Sequence, residues 1–181
     1  MKYIALLRGI NAGGQGRVSM SDLKACFEAQ GFKNVATKFN SGNLLFESDE
    51  KDAARLAVTC ESAIAKQFGF HVLCAVFATK DFVSTVEDAP AWWADDTPDS
   101  RHDVLFVIPP AKPSEVIKAI GPINEADEKL ASYGSVIFWS ARNPAYGRSQ
   151  VVKMFNIPVY EQITLRSSTT TKKLYKAAKE F

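Results

Sequence analysis

The sequence predicts an α+β fold made of two tandem ferredoxin-like units (βαββαβ, the α/β plait) with an added C-terminal helix. Apolar runs and amphipathic segments follow the order strand, helix, strand, strand, helix, strand in each half of the 181 residues. A hairpin signal stands in the middle of each half, which argues against the main alternative, a single open sheet wound by alternating helices. Since 46% of the residues are hydrophobic and 23% are charged, the chain has enough apolar mass to bury a core.

The first predicted unit comprises residues 1–78. Its strands are predicted at residues 3–7, 35–39, 43–48 and 71–77. One helix is predicted to start at Ser19, a capping residue, and to end at Gly31, and a longer one is predicted across residues 56–68.

We predict that residues 79–101 form a boundary between the two units and contain a short helix. The prolines and acidic residues around Trp92 and Trp93 indicate the boundary. The second predicted unit, residues 102–181, repeats the order of the first. Its strands are predicted at residues 104–108, 129–131, 136–139 and 159–165, and its helices at 113–120, from near 149, and at 169–181.

The net charge of +2 excludes a strong global attraction to nucleic acid or membranes, so any basic site must be local. The apolar run at residues 1–10 is interrupted by Arg8 and is too short for a signal peptide or a membrane span. We therefore expect a cytoplasmic protein with no membrane partner.

The three cysteines, Cys26, Cys60 and Cys74, lie far apart in apolar surroundings and form no CxxC pair. We expect reduced, buried thiols. The histidines, His71 and His102, do not supply the spacing of metal ligands, so we expect neither a metal nor a cofactor.

A glycine-rich segment follows the first predicted strand and suggests an anion-binding loop. The chain passes Arg8, Asn11, Gly13 and Gly14 before it enters the helix at Ser19. Glycines let backbone N–H groups turn toward one point, and a helix N-terminus adds partial positive charge, so together they favour an anion. The spacing matches neither the P-loop nor the dinucleotide-binding fingerprint. The alternative is a plain strand-to-helix connection in which Arg8 pairs with an acid.

Arginine recurs before three predicted helix starts. Arg8 precedes the first helix, Arg148 stands one residue before the capping residue Ser149, and Arg166 precedes a helix start rich in Ser and Thr. Because Arg can grip phosphate or carboxylate with two parallel hydrogen bonds, we expect Arg8 and at least one of the other two to meet in a common cleft. Ordinary surface or interdomain salt bridges are the alternative.

Asn43 belongs to the turn signal Ser41-Gly42-Asn43. These residue types suit a hairpin turn for local reasons, and Asn43 would also orient a ligand if the hairpin end lay beside the first loop. Strand register decides whether the two share an edge of the sheet, and the sequence leaves both possibilities open.

Two groups of motifs carry a resemblance to a known family. The first group comprises Leu7-Arg8-Gly9-Ile10-Asn11 with Gly13-Gly14, then Met20 and Leu23, and Asn40-Ser41-Gly42-Asn43 before Phe46. The second group comprises Tyr146-Gly147-Arg148-Ser149, and Thr164 and Arg166 with Thr170 and Lys173-Leu174. In these motifs and in their order, the chain resembles the bacterial proteins catalogued as domain of unknown function 1697. The resemblance implies two ferredoxin-like plaits side by side and supplies no established activity.

One segment departs from the pattern of that family. After Arg166 the family usually has Asn-Trp-Asn, whereas this chain has Ser167-Ser168-Thr169. The departure removes an aromatic and two amide side chains from that end. The N-terminal loop is therefore the stronger candidate for ligand binding.

The sequence favours binding over catalysis and leaves open whether the protein is an enzyme, since it has no nucleophile elbow, zinc-protease motif or Cys–His arrangement. We expect a protein that binds a small anionic, phosphorylated ligand through Arg8, Asn11, Gly13, Gly14, Asn43, Arg148 and Arg166. The alternative is a nucleic-acid or protein-binding module whose basic C-terminal helix carries Lys172, Lys173, Lys176 and Lys179. For RNA, the strands would offer at most Phe138 or Trp139 as an exposed aromatic.

Overall fold

The structure is a computed structural model that describes residues 1–11, 17–39, 42–95 and 97–181. Within these ranges the chain divides into two compact units. The first contains residues 1–83 and 174–181, and the second contains residues 84–173.

These boundaries differ from the expected division at residues 78 and 102. Most of the expected boundary segment folds into the second unit, where the Trp93 side chain is buried. The end of the C-terminal helix belongs to the first unit, in which Lys2 Nζ donates a hydrogen bond to the Phe181 carbonyl.

The first unit, as far as it is described, is a four-stranded antiparallel sheet with two helices packed on one face. Its strands are β1 (Lys2–Leu7), β2 (Lys33–Lys38), β3 (Asn43–Glu47) and β4 (Cys74–Ala78). Their order across the sheet is β2-β3-β1-β4. The helices are α1 (Met20–Glu28) and α2 (Ala53–Phe68), and α3 (Thr79–Glu87) follows β4.

Alternating residues of β1 build the core of the first unit. Side chains on a strand point to opposite faces in turn, so Tyr3, Ala5 and Leu7 share one face. They cluster with buried residues of both helices: Leu23, Cys26 and Phe27 of α1, and Leu56, Cys60, Ala63 and Ile64 of α2. All three cysteines of the chain are buried in this unit, as predicted.

Capping residues set the limits of these helices. At the start of α1 the Ser19 hydroxyl accepts a hydrogen bond from the Asp22 amide at 3.0 Å, which confirms the predicted start. Asp52 caps α2 in the same way, through the Ala54 amide at 2.9 Å. Gly69 ends α2 in the left-handed region, with φ of 79°, which glycine adopts at little cost.

The second unit repeats this arrangement in the part of the chain that is described. Its strands are β5 (Ser100–Val107), β6 (Glu128–Tyr133), β7 (Val136–Arg142) and β8 (Ile163–Ser167), in the antiparallel order β6-β7-β5-β8. Its helices are α4 (Ala91–Ala94), α5 (Pro113–Ile120), α6 (Gln150–Met154) and the start of α7 (Ser168–Glu180), with 3-10 helices at Asn143–Arg148 and Pro158–Gln162.

Two separate antiparallel sheets confirm the α+β prediction and exclude the single open sheet. In the second unit, Leu105, Val107 and Trp139 of the sheet pack with Val116 of α5 and Val151 of α6. No helix within the described ranges is long and apolar enough to cross a membrane.

Some strands begin elsewhere than predicted. Strands β4, β5 and β8 begin at Cys74, Ser100 and Ile163 rather than at residues 71, 104 and 159. Strand β5 is longer because Ser100 still pairs with Arg142 of β7. Strand β8 is shorter because Pro158, which has no N–H for a sheet ladder, begins a 3-10 helix.

Candidate anion-binding site

Strand β1 ends in a bend that carries Arg8 to the edge of the sheet. Gly9 follows with φ of 69° and Asn11 with φ of 59°, so the chain turns sharply within a few residues. The Arg8 amide donates to the Leu73 carbonyl at 2.8 Å, and the Arg8 side chain is half-buried. Ile10 is buried and anchors the bend in the core.

The β2–β3 hairpin and the bend after β1 lie at the same edge of the sheet. Asn43 pairs with Leu6 in the β1–β3 ladder, and the Leu7 amide donates to the Gly42 carbonyl at 2.8 Å. Gly42 lies against Ile10 and Leu7 so closely that a β-carbon would not fit there. This register shows that the hairpin and the bend share one edge of the sheet, a question that the sequence left open. It therefore brings together the motifs that contain Arg8 and Asn43.

Asn43 is fully buried at this edge, and its side chain supports the hairpin. The Asn43 Nδ2 group donates to the Lys38 carbonyl at 3.1 Å, across the turn between β2 and β3. This bond satisfies one donor of a buried amide and stabilises the turn. Gly13 and Gly14, two further predicted members of the site, lie outside the described residues.

Two hydrogen bonds join Asn11 to Val18. The Asn11 Nδ2 group donates to the Val18 carbonyl and its Oδ1 accepts from the Val18 amide, both at 2.8 Å. The side-chain amide therefore pairs with the Val18 backbone as a second strand would. Because Val18 is buried, this clamp fixes the flanking residues Arg17 and Ser19 close to the end of β1.

A cavity of about 510 Å³, here termed the β1–α1 cavity, opens beside the clamp. Among the described residues, those that line it are Asn11, Arg17, Val18, Ser19 and Met20. Arg17 is exposed and forms no ion pair with any described residue. The cavity therefore combines a cation with side chains that the clamp holds in place.

The N-terminus of α1 reaches the β1–α1 cavity at Ser19. The Ser19 hydroxyl, which caps the helix, also donates to Asp22 Oδ2 at 2.7 Å. The Asp22 carboxylate offsets part of the positive potential of the helix end. Arg17 then supplies the positive charge that an anion in this cavity needs, and the arrangement can hold a small anion.

The two predicted arginines of the second unit differ in their surroundings. Arg148 is exposed and ends a 3-10 helix, directly before Ser149, which caps α6. Arg166 is buried on β8, where its guanidinium donates to the Thr164 hydroxyl and to the Leu165 carbonyl, each at 2.8 Å. Arg8 belongs to the other unit. The common cleft for these arginines stays a prediction.

The family model described as "Protein of unknown function (DUF1697)" matches residues 1–138, about three quarters of the chain. The chain belongs to this family. Its motifs at residues 7–11 and 42–46 lie inside the matched region, whereas those at residues 146–149 and 164–174 lie beyond it. The resemblance predicted from the sequence is thereby confirmed.

Solved structures extend the comparison to the whole DUF1697 chain. The conserved bacterial protein SP0830 from Streptococcus pneumoniae is 30% identical, with a TM-score of 0.85 and coverage of 98% of both chains. An unknown protein from Galdieria sulphuraria is 15% identical over 92% of this chain and 96% of its own, with a TM-score of 0.24 that carries no argument about fold. No curated protein matches the chain.

Across the described ranges, no three His, Cys, Asp or Glu side chains are grouped so that they could hold a metal ion. His71 is exposed, whereas His102 is buried and its Nε2 lies 3.1 Å from the Thr97 hydroxyl.

Sequence reasoning missed an ion pair in the second unit whose carboxylate is buried. Asp103 on β5 is fully buried, and its Oδ2 accepts from Arg101 Nε at 2.8 Å. The Arg101 guanidinium stacks on the Tyr146 ring, 4.5 Å from its centre. Asp103 Oδ1 accepts no hydrogen bond from the described residues. The available signal was the spacing of Arg and Asp at i and i+2 on a strand, which places both on one face.

The Asp103 carboxyl makes the stability of this DUF1697 chain depend on pH. Burial raises the pKa of Asp103, and the Arg101 guanidinium opposes the rise by lowering it. The pKa of this carboxyl is higher in the folded state than in the unfolded state. Its contribution to the free energy of unfolding is therefore fully present at a pH below the unfolded-state pKa of about 3.9. This contribution is lost as the pH rises through the folded-state pKa.

Asp103→Asn is therefore expected to be at least as stable as the wild type at pH 7, and to lose this advantage toward acid pH. The Asn amide oxygen can still accept from Arg101, so the pairing geometry is kept while the buried charge is removed. Urea denaturation at several pH values measures the difference. Asp99→Asn, which changes an exposed carboxylate, is the control. A neutral-pH loss of several kcal/mol in Asp103→Asn would contradict the expectation.

Proposed function

We propose that this chain binds a small phosphorylated anion in the β1–α1 cavity. Arg17 carries the proposal, because it is an exposed guanidinium that lines the cavity beside the N-terminus of α1 and has no ion pair among the described residues. Arginine holds phosphate through paired N–H donors, and a helix N-terminus favours the same charge.

The clamp formed by Asn11 supports this proposal. Its two bonds to Val18 fix Arg17 and Ser19 before any ligand arrives, so less conformational entropy is lost on binding. Arg8, with Gly13-Gly14, completes the proposed site on grounds of sequence.

Arg17→Ala is expected to remove most of the thermal stabilisation that phosphate compounds give. The probes are inorganic phosphate, pyrophosphate and a nucleoside monophosphate, because a ligand that binds only the folded state raises its Tm. Loss of a hydrogen bond to a charged group weakens binding about tenfold or more. Lys66→Ala, which removes an exposed cation of α2 outside the cavity, is the matched control. If Arg17→Ala responds to every probe as the wild type does, the proposal fails.

Arg8→Ala separates a binding role from a scaffold role in the same assay. If Arg8 contacts the anion, the variant keeps the ligand-free Tm of the wild type and loses the stabilisation by phosphate. If Arg8 is one partner of a buried pair, its removal lowers stability by about 3–5 kcal/mol without ligand. A large drop of the ligand-free Tm would assign Arg8 to the scaffold and remove it from the site.

A second candidate function rests on the exposed lysines of α7. Lys173, Lys176 and Lys179 are exposed, whereas Lys172 donates to the Ala94 carbonyl at 2.9 Å. Stacking of RNA bases on the second sheet has no support, because Phe138 and Trp139 are both buried. Salt distinguishes the two candidate functions, since binding to a polyanion falls steeply with ionic strength.

We also propose that both units are ferredoxin-like plaits and that the protein works in the cytoplasm. The strand orders β2-β3-β1-β4 and β6-β7-β5-β8, with a helix between the first and second strand of each unit, support the fold assignment. Three buried thiols that form no disulfide fit a reducing compartment.

A further inference from the structure

A second cavity, of about 490 Å³, lies within the second unit at the start of α7. Its polar lining includes Thr97, Ser100, Arg101, His102, Ser168 and Thr169. We term it the α7 cavity. Ser168 and Thr169 belong to the segment in which the sequence departs from the Asn-Trp-Asn pattern of the family.

The Ser168 side chain is buried and lines the α7 cavity. Only 7% of the residue is exposed, and its hydroxyl forms no hydrogen bond with any described residue. The Ser168 oxygen is not among the fully enclosed side-chain atoms without a partner in the described chain, so it keeps some surface at the cavity that the residue lines. The Ser168 hydroxyl is therefore available to an acceptor that enters the cavity.

The first turn of α7 adds a backbone donor to the same cavity. This helix has 13 residues, and the first amide groups of any helix have no partner within it. Ser167 Oγ accepts from the Thr170 amide at 3.3 Å and so caps one of them. The Thr169 amide precedes that capped position, whereas the register of β5 and β8 pairs the Ser168 amide with the His102 carbonyl. The Thr169 amide lies at the positive end of the helix dipole, where anions are favoured.

Arg101 contributes a charged wall to the α7 cavity. Its side chain is 46% exposed, and its Nε donates to the buried Asp103 carboxylate. The two Nη groups form no hydrogen bond with the described residues, while stacking on Tyr146 holds the guanidinium plane in place. Asp103 cancels part of the charge of Arg101, so the helix end and the hydroxyl are also needed to hold an anion.

We propose that the α7 cavity is a binding site for a tetrahedral oxyanion, namely inorganic phosphate or the phosphate group of a small monoester. The donors come from a helix end, the Ser168 hydroxyl and a guanidinium on a neighbouring strand, so they belong to different parts of the cavity lining. A tetrahedral oxyanion presents oxygens in more directions than a planar carboxylate does. This site lies in the second unit and does not depend on the β1–α1 cavity.

Inorganic phosphate, titrated into ¹⁵N-labelled protein at constant ionic strength, tests the proposal. We expect saturable amide shifts at Ser168, Thr169 and Ser100, and we expect them to persist in Arg17→Ala, which disables the proposed first site. Ser168→Ala should weaken the phosphate affinity measured at Thr169 roughly two- to tenfold, the loss expected for one hydrogen bond. Ser132→Ala removes an exposed hydroxyl of β6 and should leave the affinity unchanged.

The outcomes separate this site from the proposed function. Shifts confined to residues 17–20 would overturn the α7 site and support the β1–α1 cavity, whereas shifts confined to α7 and β5 would do the opposite. An absence of saturable shifts anywhere would overturn both. An unchanged affinity in Ser168→Ala, with the fold confirmed by its spectrum, would also overturn the α7 site.

Discussion

Gly42→Ala is expected to destabilise the first unit by about 2–5 kcal/mol. Gly42 has φ of 67°, which L-residues with a side chain rarely adopt, and the added β-carbon would overlap Ile10 Cγ2 and lie 2.9 Å from Leu7 Cβ. Overpacking costs about 1–3 kcal/mol, and the left-handed backbone adds about 1–2 kcal/mol. Urea denaturation followed by circular dichroism measures the loss.

Gly31→Ala is the matched control for this prediction. Gly31 has φ of 83°, but the space around its missing β-carbon is open to 4 Å. The control should therefore show the backbone cost alone, about 1–2 kcal/mol. Equal losses in the two variants would show that the hairpin does not press on the bend after β1. The close approach of Gly42 to Ile10 and Leu7 would then not constrain the structure at this edge of the sheet.

Trp93→Ala is expected to destabilise the second unit by about 3–5 kcal/mol, the range for deletion of a buried aromatic side chain. Trp93 is 1% exposed, its Nε1 donates to the Asp103 carbonyl at 3.1 Å, and its ring meets Phe138 edge-on with centres 5.0 Å apart. The truncation would leave a cavity and remove the indole hydrogen bond to β5.

Trp92→Ala provides the comparison at the neighbouring position. Trp92 is half-buried and forms no hydrogen bond among the residues described, so its removal should cost about 1 kcal/mol or less. Denaturation followed by far-ultraviolet circular dichroism compares the two variants. Similar losses would mean that α4 packs on the second sheet less closely than the structure shows.

The limits of several helices follow from local signals, which a sequence displays directly. A capping serine acts within one helical turn, so Ser19 predicted the start of α1 without knowledge of the rest of the fold. Helix α5 was predicted at residues 113–120 and is observed at Pro113–Ile120, before Gly121. The order of strands and helices along each unit followed from the alternation of strand, helix and hairpin signals in the sequence.

The candidate site was only partly predictable, because its bonds join residues that are distant in the chain. The sequence pointed to the segment after β1, but the clamp between Asn11 and Val18 depends on the path that the chain takes between them. The approach of Gly42 to Ile10 depends on the register of β1 and β3, which residue types alone do not determine.

Composition misled the prediction at residues 89–101. Prolines and acidic residues are typical of linkers, yet Trp93 in this stretch is buried, and Ser100 and Arg101 extend β5. The polar composition of this stretch does not predict that the Trp93 indole N–H donates a hydrogen bond to the Asp103 carbonyl. The ion pair of Arg101 and Asp103 was not predicted either, because the strand was expected to begin only at residue 104.

The two units carry different natural reporter groups. Every cysteine of the chain lies buried in the first unit, whereas every tryptophan (Trp92, Trp93 and Trp139) lies in the second. Alkylation of thiols under native conditions therefore records the opening of the first unit, since a buried thiol reacts only when its surroundings open. Indole fluorescence records the second. The wild-type chain, with no introduced reporter group, can thus show whether the two units unfold together or one after the other.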